Sequence, residues 1–67
     1  MSISDDPLPG DTAVRLRRLW KVLKVHYHAN STDPAYMDVL DVEKGKEKRI
    51  YHVDWIADYK DHRRPNG

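Results

Sequence analysis

The residues whose spacing first suggests chemistry are histidines. His26 and His28 are two apart, so on a strand they share a face, and His52 and Asp54 follow on a later segment. Neutral imidazoles with a carboxylate form a reasonable zinc or nickel set. However, a His-x-His pair on the outer face of a sheet is more often simply solvated, and no metal site is expected. Two carboxylate pairs come next, Asp38 with Asp41 and Asp54 with Asp58. Acid–base catalysis needs one member of such a pair desolvated, and neither pair sits in an apolar context. The chain has no Cys, which excludes a thiolate nucleophile and thiolate metal ligands. Ser2, Ser4 and Ser31 lie in polar stretches with no base framed beside them. There is no Gly-rich phosphate loop and no Gly-x-Ser-x-Gly. With no nucleophile–base pairing in sight, an enzyme is not expected, nor a cofactor or a small-molecule substrate.

Binding chemistry is better represented. Arg15, Arg17, Arg18, Lys21 and Lys24 fall between Ala13 and Ser31, a stretch without an acid, although the whole chain has a net charge of only +1. Such a segment suits an anionic ligand, since Lys and Arg neutralise phosphate and release counterions. Lys44, Lys46, Lys48 and Arg49 would extend the surface, against Asp38, Asp41 and Glu43 nearby. The aromatics are two Trp and four Tyr with no Phe, so each has a polar edge suited to a core boundary. Tyr27 and Tyr51 are candidates to stack on bases beside the cationic set. Tyr36, Tyr51, Trp55 and Tyr59 are candidates for a peptide-binding cluster. The competing assignment is core filling, preferred for Trp20 and Trp55.

Which of these side chains can meet depends on the elements. Tyr36–Val42 and Arg49–Val53 flank a short turn around Gly45 and read as a β-hairpin. Residues 13–28 are ambiguous. As a helix, Leu16, Leu19, Trp20, Leu23 and Tyr27 make one apolar stripe, with Asp11 or Thr12 as N-cap. As strands, Val14-Arg15-Leu16 and Leu23-Lys24-Val25-His26-Tyr27-His28 alternate, with a turn at Arg17-Arg18 and a bulge near Val22-Leu23. The valines favour strands, the preferred reading. Over Val53–Lys60, Asp54 is expected to cap one turn of helix, with Trp55, Ile56 and Tyr59 packing back on the sheet.

With strands, Pro9-Gly10-Asp11-Thr12-Ala13-Val14-Arg15-Leu16 resembles the opening strand of SH3-like small barrels. Trp20-Lys21-Val22-Leu23-Lys24-Val25 resembles their long bent second strand. Tyr36–Val42 and Lys48–Val53 resemble the following hairpin, and Val53-Asp54-Trp55-Ile56 the closing turn and last strand. The resemblance implies an all-β barrel of about five strands with a short helical turn near the C-terminus. It also implies binding of nucleic acid or peptide, as in Tudor, KOW and chromo-barrel modules. The helix reading would instead give an α+β domain, an N-terminal amphipathic helix plus a hairpin.

A chain of 67 residues holds one small domain with a thin core. Residues 1–9 and 61–67 read as flexible tails and 10–60 as the barrel. No apolar run approaches a membrane span, and the acidic start lacks a signal-peptide pattern; a cytoplasmic location is expected. The expected function is a non-catalytic binding module, with nucleic acid slightly preferred and a protein partner as the alternative. A thin core also leaves a homo-oligomer open. A basic amphipathic helix on a membrane surface or in a partner's groove would follow only from the α+β reading.

Overall fold

In the computed structural model, which describes residues 7–65, the ambiguous stretch is two strands. β1 (Thr12–Arg15) and β2 (Arg18–Tyr27) form a hairpin, followed by β3 (Pro34–Asp41), β4 (Lys46–Tyr51), a short helix α1 (His52–Asp58) and β5 (Lys60–Arg63). They form one five-stranded antiparallel sheet in the order β4-β3-β2-β1-β5, with β4 and β5 at its edges. The domain is therefore all-β with one short helix before its last strand, and the α+β alternative is set aside.

Directly paired residues share a face, which defines the core. Ala13 stands opposite Trp20, Val22 opposite Val39, Val25 opposite Met37 and Met37 opposite Ile50. Of these, Ala13, Val22, Val25, Met37, Val39 and Ile50 are buried, and Trp20 packs against them. α1 lies against β3 and β4 on this inner face and adds Trp55, while Tyr59 adds its ring just beyond the helix. Between Val22 and Lys24 the register with β3 shifts, and Leu23 is the extra residue. This bulge, expected from the parity of Trp20 and Val22, lets both Val22 and Val25 face inward although they are three positions apart, an odd step that would put them on opposite faces of a regular strand. Gly45, at φ 71°, closes the β3–β4 turn, where the Asp41 carboxylate accepts the backbone N–H groups of Glu43 (3.1 Å) and Lys44 (3.2 Å).

Several expectations need correction. The first turn is Leu16-Arg17, not Arg17-Arg18: Arg15 pairs with Arg18, and Leu16 and Arg17 have φ of 52° and 64°. Positive φ at both central residues is the pattern of a type I′ turn, which suits the twist of a two-residue hairpin. Its usual signal, Asn-Gly, is absent, so the sequence marked the wrong pair. Asp54 does not cap α1. The helix begins earlier, at His52, with Tyr51 as an N-cap that makes no side-chain capping bond, and Asp54 sits in its first turn. Val53–Ile56 is helix throughout, so the last strand comes later, at Lys60–Arg63. Trp55 and Tyr59 pack inward, but Ile56 is exposed, because one seven-residue helix buries only one side.

The segment from Asp61 onward, read as a tail, is built into the sheet. β5 pairs with β1, Thr12 with Arg63 and Val14 with Lys60, across a bulge at Asp61, whose φ is 55°. Asp is among the few side chains that tolerate this region. Beyond the strand, Arg64 donates two hydrogen bonds to the buried Asp11 carboxylate, each of 3.1 Å. Pro7 is fully buried, and the Leu8 N–H donates to the same carboxylate at 2.9 Å. Residues 1–6, 66 and 67 of the expected tails lie outside the described residues.

Candidate nucleic-acid interface

The Leu16-Arg17 turn decides where the cations go. Arg15 and Arg18, opposite each other, share the inner face with Ala13, Trp20 and Val22 at the tip end of the hairpin. A cleft of about 390 Å³ opens there, lined by Arg15, Leu16, Arg18, Trp20 and Lys48. Lys48 arrives from edge strand β4, which β3 and β2 separate from β1 in the sheet order. A shared cleft therefore requires the sheet to curl over its inner face, which twisted and bulged strands favour. On the other side of the turn, a second cleft of about 400 Å³ is lined by Val14, Arg15, Leu16, Arg17, Asp58, Lys60 and Asp61.

Each cation has a defined setting. Arg18 bonds Asp41 at 3.2 Å, with the carboxylate side chain 3 % exposed and the arginine 40 %. Burial alone would raise the Asp41 carboxyl; the Lys44 and Glu43 N–H groups and the Arg18 guanidinium outweigh it and hold the group below the usual range. The Arg15 guanidinium stands 5.6 Å from the centre of the Tyr59 ring. Burial pushes the Tyr59 phenol up, and Arg15 acts in the opposite sense. Trp20 meets Tyr59 edge-to-face at 6.1 Å, and its indole Nε1 is buried with no hydrogen-bond partner among the described residues. Arg17 and Leu16 project at the turn itself, with Leu16 81 % exposed.

The remaining residues of the cationic set lie elsewhere. Lys21, opposite Leu40, and Lys24, opposite Asp38, are on the outer face. Tyr27 ends β2, nine residues from Arg18, or about 30 Å along an extended strand. Tyr51 is opposite Tyr36 on the outer face at that same far end. The set of Tyr36, Tyr51, Trp55 and Tyr59 is divided by the sheet: the first two are outside it, the last two within the core.

Tyr36 belongs to a local network. The His26 ring stacks on it at 4.4 Å and the Arg49 guanidinium lies 4.7 Å from its centre, one from each neighbouring strand. Asp38 joins both: His26 Nε2 lies 3.1 Å from one carboxylate oxygen, and Arg49 Nε donates to the other at 3.3 Å. The His26 hydrogen bond, helped by Arg49, holds the Asp38 carboxyl below its ordinary value despite partial burial. His26 is thus engaged with Asp38, and no three potential metal ligands converge among the described residues, so the His26, His28, His52 and Asp54 set is not assembled. Asp38 and Asp41 stand on opposite faces of β3 and cannot work as a pair.

Sequence reasoning gave Lys48 only a supporting place and Leu16 none. The signal for Lys48 was its alternation with Ile50 on β4, which places both on the inner face; its nearness to Arg15 depends on sheet curl and had no local signal. The fold and this cleft define a small all-β domain with Arg15, Arg18 and Lys48 gathered at one end. In comparisons with protein-family models, curated proteins and solved structures, nothing matches the chain. No helix among the described residues is long and apolar enough to cross a membrane.

Proposed function

We propose that this protein is a non-catalytic nucleic-acid-binding module whose interface is the cationic end of the β1–β2 hairpin. The observation that carries the reading is the gathering of Arg15, Arg18 and Lys48 around Trp20 in one cleft, with Arg17 in the second cleft on the other side of the turn. Guanidinium and ammonium groups held on a rigid sheet suit a phosphate backbone, and an aromatic among them offers a surface for a sugar or base. Arg18 is partly neutralised by Asp41, and Arg17 shares its cleft with Asp58 and Asp61, so Arg15 and Lys48 supply most of the charge in the Trp20 cleft and Arg17 adds to it at the tip. The order of the elements, with a helical turn before the last strand, supports the SH3-like reading; that likeness concerns architecture, and the function rests on the site.

The test is fluorescence anisotropy with labelled duplex and single-stranded DNA over a range of salt. Log affinity is expected to fall linearly with log salt, with a slope equivalent to roughly three phosphate contacts. Arg17→Ala and Lys48→Ala should each flatten that slope by about one contact, since neither residue holds the core. Lys24→Ala, on the outer face, should leave it unchanged. A salt-independent affinity, or a Lys24→Ala effect equal to that of Lys48→Ala, defeats the assignment.

A protein partner is the second reading, favoured by one observation. Tyr51, Val53 and Ile56 are 66, 66 and 50 % exposed on consecutive turns of chain at the start of α1. An apolar contact there would be insensitive to salt, which separates it from the first reading.

A further inference from the structure

The tip of the β1–β2 hairpin combines three features that folding alone does not explain. Leu16 and Arg17 both hold positive φ, a region that branched and long side chains enter at a cost and that Asn or Gly would occupy more easily. Leu16 is the most exposed large apolar side chain among the described residues, at 81 %, and it borders the clefts on both sides of the turn rather than the core. Arg15, Arg17 and Arg18 surround it in sequence; Arg15 and Arg18 face each other across the hairpin, with Asp41 on Arg18 and the Tyr59 ring beneath Arg15, while Arg17 shares the second cleft with Asp58, Lys60 and Asp61. A strained residue kept against local preference points to use of its side chain.

We infer that Leu16 is a wedge: the hairpin tip enters the minor groove of duplex DNA, and the Leu16 side chain inserts between two base pairs, bending the duplex. This inference rests on the nucleic-acid reading above and specifies its ligand. The chemistry at the tip matches in both parts. Guanidinium groups are drawn to the negative potential of a narrow minor groove. An apolar side chain pushed between base pairs replaces lost stacking and opens the step, as Leu, Ile, Phe and Pro do in minor-groove binders. A two-residue turn makes the end of the ribbon narrow, and the cleft cations Arg15 and Lys48 lie behind it, placed to take the phosphates that a bend brings closer. Flexible pyrimidine–purine steps such as TA are the expected insertion points.

The variant that tests this is Leu16→Asn. It keeps every cation, and Asn suits the positive φ, so the protein should fold at least as well as before. A duplex of about 20 base pairs with a central TA step and a fluorophore pair at its ends reports bending as a rise in energy transfer. The wild-type protein should raise the transfer, and L16N should not. L16N should also bind about tenfold more weakly while keeping the same salt slope, because the phosphate contacts remain. A single central mismatch, which lowers the work of unstacking, should tighten wild-type binding and leave L16N binding unchanged. Salt-sensitive binding without bending, or bending that L16N retains, overturns the wedge and leaves the nucleic-acid reading standing. Absence of binding to any DNA at low salt overturns both.

Discussion

At the residue scale, the most informative positions are those where a side chain contradicts its setting. Leu16 and Arg17 each carry left-handed backbone strain of about 1–2 kcal/mol for a non-glycine residue. Replacing the pair by Asn-Gly should therefore raise stability by about 1 kcal/mol or more, seen as a higher urea midpoint with unchanged slope. A lower midpoint would mean that contacts at the tip, absent from the described geometry, hold the hairpin together. Asp41 is the opposite case, a buried acid whose every neighbour favours its charge. Its carboxyl lies below the ordinary value in the folded protein, and so does that of Asp38. The unfolded chain thus binds protons first as pH falls, so these groups contribute stability that is full above the unfolded carboxylate range. That contribution disappears as pH drops through their lowered folded values. Urea midpoints measured from neutral pH down to about pH 2 should fall accordingly, and Asp41→Asn should flatten the decline. A midpoint in Asp41→Asn that tracks the wild type at every pH would show that Asp41 contributes nothing to acid sensitivity.

At the scale of elements, β2 and β3 organise the domain, and the bulge at Leu23 is their control point. Val22 and Val25 both face the core only because Leu23 is left out of the pairing. Deleting Leu23 would leave Val22, Lys24 and Val25 opposite Val39, Asp38 and Met37 in a regular ladder, with every side chain on its present face but without the bend that the bulge gives β2. The deletion variant should therefore keep a well-dispersed amide NMR spectrum; loss of dispersion would show that the bend at Leu23, and not only its parity, is needed for the fold. Met37, fully buried between Val25 and Ile50, tests the other side of the same ladder. Met37→Ala should cost about 2–5 kcal/mol, enough to leave a domain this small largely unfolded at room temperature.

At the scale of the whole molecule, the two ends of the chain are joined. Asp11, just before β1, accepts hydrogen bonds from Nε and Nη2 of Arg64, just after β5, and Pro65 packs against Gly10. At Gly10, φ is 95° and Pro65 Cγ lies 3.3 Å from where a Cβ would sit, so a side chain there is opposed by both backbone and neighbour. Arg64→Ala leaves a buried carboxylate without its guanidinium, and β5 would lose the anchor beyond its last pair. Thermal unfolding should shift to lower temperature, and amide exchange in Lys60–Arg63 should quicken more than in β3. Uniform quickening across the sheet would instead mean that β5 is not a separately released edge.

Strand and turn chemistry reads along the chain, and those features were legible in the sequence. The alternation at Leu23–His28, the parity break that demanded a bulge, the turn at Gly45 and the helical turn around Trp55 all follow from residues within a few positions of one another. The Leu16-Arg17 turn escaped because neither residue carries the Gly or Asn that normally announces positive φ, and its strain is tolerated only where the flanking strands are already paired. The tails were misread for a related reason: Asp11 and Arg64 look like solvated surface charges until folding brings them together over 53 positions. The candidate site depended most on tertiary structure. Arg15, Arg18, Lys21 and Lys24 are neighbours in sequence, yet strand alternation and the bulge send the first two to the inner face and the last two to the outer one. Lys48, from another strand, replaces them beside Trp20. Local spacing determined what each segment became, because strand pleat and turn conformation are short-range properties. Which charges share a surface was decided by sheet pairing and curl, which act between residues that the chain itself keeps apart.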